Sequence, residues 1–129
     1  MPNATIAVQH VHRARQNEAF AQHFDLDTTP YRDWVVTGYF YAALHWIDAF
    51  LCASGKRTDK HSERNTHVNN IPELTPISRQ YRMLYSYSRN VRYDLVDFTP
   101  ERVRKDVQPK LQLIRAHMEA LLKQEKIIT

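Results

Sequence analysis

The sequence is poor in glycine and in cysteine, and each shortage excludes a class of protein. Only 2 glycines occur among 129 residues, which argues against a β architecture rich in tight turns, because such turns need positions with positive φ. The single cysteine, Cys52, excludes an internal disulfide and suits a reducing compartment. A cytoplasmic location is therefore expected.

Long uncharged apolar runs are also missing. No stretch of about 18 apolar residues lacks a charge, so neither a membrane span nor a membrane partner is expected. The N-terminal segment carries His10, His12, Arg13 and Arg15 in place of the apolar core of a secretory signal.

Several motifs that carry chemistry are absent. There is no glycine-rich phosphate loop, and no serine or cysteine stands in a recognisable nucleophile context. Di-metal helical bundles use Glu-x-x-His pairs, and structural zinc uses several cysteines; the chain has neither pattern. The sequence therefore predicts no metal and no cofactor.

The most informative segment that is present is a nearly all-apolar helix predicted over residues 31–53. Apolar residues cover almost its whole circumference, which is typical of a central, buried helix. At about 3.6 residues per turn, four polar-capable side chains fall on one narrow strip. We call this the polar strip; it consists of Thr37, Tyr41, His45 and Asp48. Buried polar groups need partners or a cleft, so the strip is the first place to look for a site.

Hydrophobic periodicity predicts four further helical pieces. They cover residues 5–24, a short piece at 61–69, residues 75–93, and a last helix for which Thr99 is the N-cap and Pro100 the first residue. Gly55 is suited to end the apolar helix in a left-handed conformation. No window alternates with a period of two. The predicted fold class is all-α, an up-and-down bundle of four main helices plus a short fifth piece, in a single domain covering residues 1–129.

The helix at 75–93 carries a basic and aromatic face. The chain has a formal net charge of +4 and a pI of about 9.3, which permits an anionic partner. Guanidinium groups pair with phosphate and aromatic rings stack on bases. The alternative is a solubilising face whose arginines pair with Asp94 and Asp97. The residues that form this face are Arg79, Arg82, Tyr85, Arg89, Arg92 and Tyr93.

Two sets of residues resemble the HEPN domain over residues 31–123. The first half of that family has an aromatic, alanine-containing helix ending in histidine, then a glycine and a His-x-x-Arg-like segment. Its second half has a helix with a few polar residues ending in tyrosine. The matching residues are Tyr39, Phe40, Tyr41, Ala42, Ala43, Leu44, His45, Ala49, Phe50, Leu51, Gly55, Lys60, His61, Ser62 and Arg64, then Tyr81, Arg82, Leu84, Ser88, Arg92, Tyr93 and Asp94.

The resemblance implies a helical bundle that pairs as a homodimer, with a cleft lined by the second and fourth helices. Many members are metal-independent ribonucleases of toxin–antitoxin or defence systems; others bind RNA or a nucleotide, or accompany a nucleotidyltransferase. Catalytic members carry an arginine followed a few residues later by histidine. Here Arg89-Asn90 is followed by Tyr93 and Asp94 with no histidine, and anchoring on Tyr93 puts Ser88 at the arginine position. The catalytic pair is incomplete.

The sequence thus leads to a non-catalytic HEPN-like protein that binds RNA or a nucleotide through a basic, aromatic cleft. The predicted binding residues are Arg89, Arg92 and Tyr93 of the fourth helix, with His45 and Tyr41 facing them and His61 and Arg64 at the rim. Two alternatives stay open: a ribonuclease with a relocated histidine, His45 or His61, and an interaction module whose polar strip is satisfied internally.

Overall fold

The structure is a computed structural model that describes residues 2–56 and 58–129, except for the side chain of Pro2. Its five helices confirm the all-α class. They are α1 (Pro2–Gln22), α2 (Arg32–Ala53), α3 (His61–Asn70), α4 (Thr75–Tyr93) and α5, which continues from Pro100–Arg102 through a π-helical turn at Val103–Val107 into Gln108–Gln124. A 3-10 turn, Pro72–Leu74, leads into α4. The described residues contain no strand.

Two predicted helix ends are confirmed in detail. Gly55 has φ of 81°, and its N–H donates to the carbonyl of Cys52 while the next N–H donates to Leu51. These two bonds form a Schellman motif, which satisfies carbonyls that α2 leaves free at its C-terminus. At the start of α5, the Thr99 hydroxyl accepts from the N–H of Arg102 at 3.1 Å.

The π-helical turn of α5 was not predicted. It ends two residues before Pro109, which has no N–H to donate to the carbonyl four residues earlier. The π-helical turn widens the helix just before the position where this bond is missing. The apolar residues on both sides of the turn still face the core. Val103, Val107 and Leu111 are all buried.

Helix α2 forms the centre of the bundle. α1, α4 and α5 each pack against it, and its apolar circumference supplies a large part of the core, including fully buried Phe40, Trp46 and Ile47. By length and composition α2 could cross a membrane, but 89% of its most apolar window is buried inside the bundle. This burial is what an all-round apolar core helix requires.

The polar strip of α2 lies along the seam between α2 and its neighbours. Thr37 and Asp48 are buried, whereas Tyr41 and His45 are half-buried. Tyr41 and His45 also line a cavity of ≈ 400 Å³ against α1, opposite Arg13 and Phe20. The strip therefore borders α1 along much of its length, not only α4.

Candidate nucleic-acid interface

The last turn of α4 presents two arginines around one exposed tyrosine. The Cζ atoms of Arg89 and Arg92 lie 5.1 and 5.0 Å from the ring centroid of Tyr93, within the range of a cation–π contact. Arg89 and Tyr93 are one helical turn apart, which brings them to the same face. Tyr93 is 63% exposed. The arrangement leaves ring area and guanidinium nitrogens in contact with solvent.

Neutral oxygens hold Arg92 in place. Its Nε donates to the carbonyl of Ser88 at 3.1 Å, its Nη2 to the Ser88 hydroxyl at 3.3 Å, and its Nη1 to the Tyr41 hydroxyl at 3.4 Å. Ser88 in turn donates to the Tyr85 carbonyl at 2.9 Å, the bond to its own helix that a mid-helix serine favours. The guanidinium is oriented without being neutralised.

No described carboxylate forms an ion pair with Arg89 or Arg92. The alternative to a binding face was a pairing with Asp94 or Asp97, but Asp97 lies 3.5 Å from Arg32 of α2 instead. Two unneutralised guanidinium groups beside one another create a local positive potential that attracts anions.

Tyr85 connects this group to α3. Arg89 lies 5.9 Å from the Tyr85 centroid, and the Tyr85 and His61 rings are 5.4 Å apart. We call Tyr41, Tyr85, Arg89, Arg92 and Tyr93 the Arg–Tyr cluster, with His61 at its border. Burial lowers the pKa of His61, and the positive charges of Arg64, Arg92 and Arg89 lower it further, so this imidazole is neutral at pH 7.

Arg64 was predicted at the rim of the cleft, and the structure places it in the interior. It is only 6% exposed. Its Nε donates to Asp48 Oδ1 at 2.7 Å and its Nη2 to Oδ2 at 3.0 Å. Nη2 also donates to the carbonyl of Thr58 at 3.1 Å, and Nη1 lies 3.3 Å from Nδ1 of His61. Because the guanidinium is consumed by a two-point ion pair, Arg64 has no free edge for an external phosphate.

His45 was predicted to face the arginines of α4, but its contacts are with α1. Its Nδ1 lies 3.0 Å from Nδ1 of His10, and the two rings stack with centroids 5.3 Å apart. Burial, followed by the neighbouring His10, lowers the pKa of His45 to about 4. The partner of the half-buried imidazole is thus His10 and not an arginine of α4, although His45 lines the same cavity as Tyr41 of the Arg–Tyr cluster.

Of the predicted binding residues, Arg89, Arg92, Tyr93, Tyr41 and His61 lie together, Arg64 lies beneath them, and His45 lies apart. Sequence reasoning missed the part of Ser88 in positioning Arg92, although the sequence places this polar residue at helical spacing among the apolar residues Tyr81, Leu84 and Val91. It also missed His10, because nothing in the sequence links two histidines 35 positions apart.

No family model, curated protein or solved structure matches this chain. The structure alone establishes an all-α bundle, with five helices among the residues it describes.

Proposed function

We propose that this chain is a HEPN-like protein that binds single-stranded RNA, or a nucleotide as its minimal form, through the Arg–Tyr cluster. The observation that carries the proposal is the pair of guanidinium groups, Arg89 and Arg92, flanking the exposed ring of Tyr93 without a carboxylate partner among the described residues.

The chemistry of the cluster fits such a ligand. Guanidinium groups bind phosphate oxygens bidentately, and a base stacked on an aromatic side chain contributes about 1–3 kcal/mol. Tyr93 offers the stacking surface, and Arg89 has no hydrogen-bond or ion-pair partner among the described residues, so its donors are free for phosphate. Arg92, held by Ser88 and Tyr41, adds a second preorganised charge.

Binding without cleavage is the favoured form of the proposal. The HEPN-type catalytic pair needs a histidine shortly after arginine, and α4 ends in Tyr93 without one. The resemblance also supports the expectation of a homodimer or of a nucleotidyltransferase partner, in a cytoplasmic setting.

A ribonuclease is the second candidate, and His61 is the observation in its favour. His61 borders the cluster, and its lowered pKa favours the neutral form that a general base needs. Arg64 Nη1 lies 3.3 Å from its Nδ1, so His61 acts as a base only when that contact breaks. His45 is the weaker choice for a relocated histidine because its partner is His10.

An interaction module is the third candidate. Phe20, Tyr31 and Trp34 are about half exposed, and Phe20 and Trp34 line a cavity of ≈ 290 Å³ between α1 and α2. Clustered exposed aromatic residues are typical of protein interfaces. The same surface suits a second copy of this chain. Light scattering tests this by comparing the molecular mass in solution of the wild type with that of Trp34→Glu.

The deciding experiment measures binding of a labelled single-stranded RNA of about 10 nucleotides, a length within the usual ~4–16 nucleotide site, in the presence of a chelator. The double variant Arg89→Ala/Arg92→Ala should weaken binding by at least about tenfold, since hydrogen bonds to charged groups are worth roughly 1.5–3 kcal/mol each. The matched control Arg79→Ala/Lys105→Ala removes the same charge from exposed positions of α4 and α5 that have no ion pair among the described residues.

Three outcomes separate the candidates. Binding with intact RNA that depends on Arg89 and Arg92 supports the proposal. Chelator-resistant cleavage that is lost in His61→Gln identifies the ribonuclease. Equal affinity in both double variants, or no measurable binding, removes the cluster from the function and leaves the interaction module.

A further inference from the structure

A second group of polar side chains lies between α1 and α2, apart from the Arg–Tyr cluster. It consists of His10 from α1 with His45 and Asp48 from α2. His45 and Asp48 are three positions apart, so they project from the same face of α2. One ligand atom of each side chain lies within 4.8 Å of the others. We propose that these three residues form a binding site for a transition-metal dication of the zinc class.

The donor set agrees with such an ion. Two imidazoles and one carboxylate suit zinc, iron, cobalt and nickel, whereas magnesium and calcium prefer oxygen ligands alone. At a Zn–N distance of ~2.0–2.1 Å, two nitrogens that share a tetrahedral ion lie roughly 3.3 Å apart. Nδ1 of His10 and Nδ1 of His45 already lie 3.0 Å apart.

The facing nitrogens are themselves the second indication. A neutral imidazole has one donor and one acceptor nitrogen, so this Nδ1–Nδ1 contact needs two different tautomers when no ion is bound. A metal ion takes the lone pair of both Nδ1 atoms and moves both protons to Nε2.

The third ligand is already oriented. Arg64 holds both oxygens of Asp48, and ligating carboxylates are commonly fixed by such outer partners. An ionised carboxylate has about four lone-pair positions. Arg64 takes two of them and the Thr58 hydroxyl, 3.4 Å from Oδ1, takes a third, so one remains for the ion. The neighbouring positive charge of Arg64 weakens the site relative to one with a free carboxylate, and the imidazoles must supply most of the affinity.

An approach route exists. His10 and Asp48 line a cavity of ≈ 200 Å³ whose wall also includes Thr58 and Asp59. His10 and His45 are half-buried and not sealed in the core. Among the described residues, His10, His45 and Asp48 are the group close enough together to share an ion, so a four-coordinate ion bound there keeps one position for water or another ligand.

The test uses the full chain after treatment with a chelator, titrated with Co²⁺ and with Zn²⁺ alone. Co²⁺ absorbance in the visible range reports a nitrogen-containing site, and competition with a coloured chelator gives the Zn²⁺ affinity. The wild type should bind one equivalent and unfold at a higher temperature when loaded, since an ion that binds only the native state stabilises it. His10→Gln and His45→Gln should each lower the affinity by at least about tenfold, because even outer partners of a metal ligand are worth 10–100-fold.

His12→Gln is the matched control, because it removes an exposed imidazole two positions away on α1. It should bind like the wild type. Asp48→Asn leaves Arg64 without its partner and can unfold the chain. His10→Gln, on the more accessible helix, is therefore the decisive variant for metal binding. The proposal is overturned by stoichiometry well below one equivalent, or by an affinity that His10→Gln leaves unchanged or that His12→Gln reduces to the same extent. In those cases the two imidazoles form a hydrogen bond and nothing more.

Discussion

Arg64 and Arg92 both reach the polar strip of α2, one from α3 and the other from α4, yet they end on different partners. Arg64 meets the carboxylate of Asp48 through two bonds and is buried. Arg92 meets the Tyr41 hydroxyl and two oxygens of Ser88, and it stays half-buried. The sequence presents the two arginines as equivalent members of a basic cleft.

The difference shows that the partner, not the arginine, decides between a structural and a binding role. A buried charge must be paired, and breaking such a pair leaves an uncompensated charge in the interior. An arginine fixed by neutral oxygens keeps its full charge and its orientation, which is what an anion site requires. The following predictions test this contrast, from the largest expected effect to the smallest.

Removing Arg64 should have the largest effect, and the effect should be on stability. Arg64→Ala strands the buried carboxylate of Asp48, which typically costs about 3–5 kcal/mol. Urea denaturation of the wild type and the variant measures the change. Arg92→Ala is the comparison, because Arg92 also contacts the polar strip. The free energy of unfolding of this variant should change far less, because losing Arg92 leaves no buried charge unpaired. Similar losses in the two variants would contradict the distinction drawn here.

Replacing Tyr93 should change the affinity for RNA and not the stability of the fold. Tyr93→Ala removes the exposed stacking surface and should lower affinity for the single-stranded RNA by roughly 1–3 kcal/mol, or about 5- to 150-fold. Tyr93→Phe keeps the ring and should retain most of the affinity. Fluorescence anisotropy compares the three proteins. A loss of equal size in the Phe variant would point to the hydroxyl and argue against stacking.

Thr37, at the other end of the polar strip, is a buried polar group without a partner, in contrast to the paired Asp48. Its hydroxyl is buried and has no hydrogen-bond partner among the described residues, so a side chain of similar shape without the hydroxyl should be better tolerated. Thr37→Val should raise the free energy of unfolding by about 1 kcal/mol. Thermal and urea denaturation check this, and a loss of stability would mean that the hydroxyl has a partner after all.

The pKa of His61 should rise when RNA binds, and the resulting pH dependence of affinity should be the smallest of these effects. In the free protein, burial and the nearby arginines hold this pKa below the ordinary value near 6.5. A phosphate bound at the cluster brings negative charge and raises it, so RNA binding takes up a proton. Affinity should therefore increase as pH falls from neutrality, level off below the pKa of the free protein, and change by less than about tenfold for a rise of less than one unit.

Histidine NMR titration with and without RNA measures the pKa directly. His61→Gln should flatten the pH profile, whereas His67→Gln, the other histidine of α3, should leave it intact. A pKa of His61 that is the same in both states would place the phosphate elsewhere.

The part of the fold that local sequence controls could be predicted well. The apolar circumference of α2, the Gly55 end and the Thr99 cap depend on neighbouring residues, and all three are confirmed. The basic and aromatic face of α4 follows from helical spacing in the same way, so Arg89, Arg92 and Tyr93 were found together.

Contacts between distant helices could not be predicted from one sequence. The burial of Arg64 on Asp48 depends on how α3 packs on α2, and the pairing of His45 with His10 depends on the register of α1. Helical spacing identifies which residues share a face but not which helix covers that face, so His45 was directed toward α4 when it faces α1. The π-helical turn before Pro109 was missed for a similar reason, because a proline inside a helical pattern predicts a break or kink and not how the chain absorbs it.

The most direct test of the central claim is the salt dependence of RNA affinity in the wild type, Arg89→Ala and Arg79→Ala. Each phosphate contact on a single strand contributes about 0.7 to the slope of log affinity against log salt. We expect Arg89→Ala to lower the slope by about that amount and Arg79→Ala, which removes the same charge roughly 15 Å away along α4, to leave it unchanged. Identical slopes in the two variants would contradict the account, because they would mean that RNA responds to net charge and not to the arginines around Tyr93.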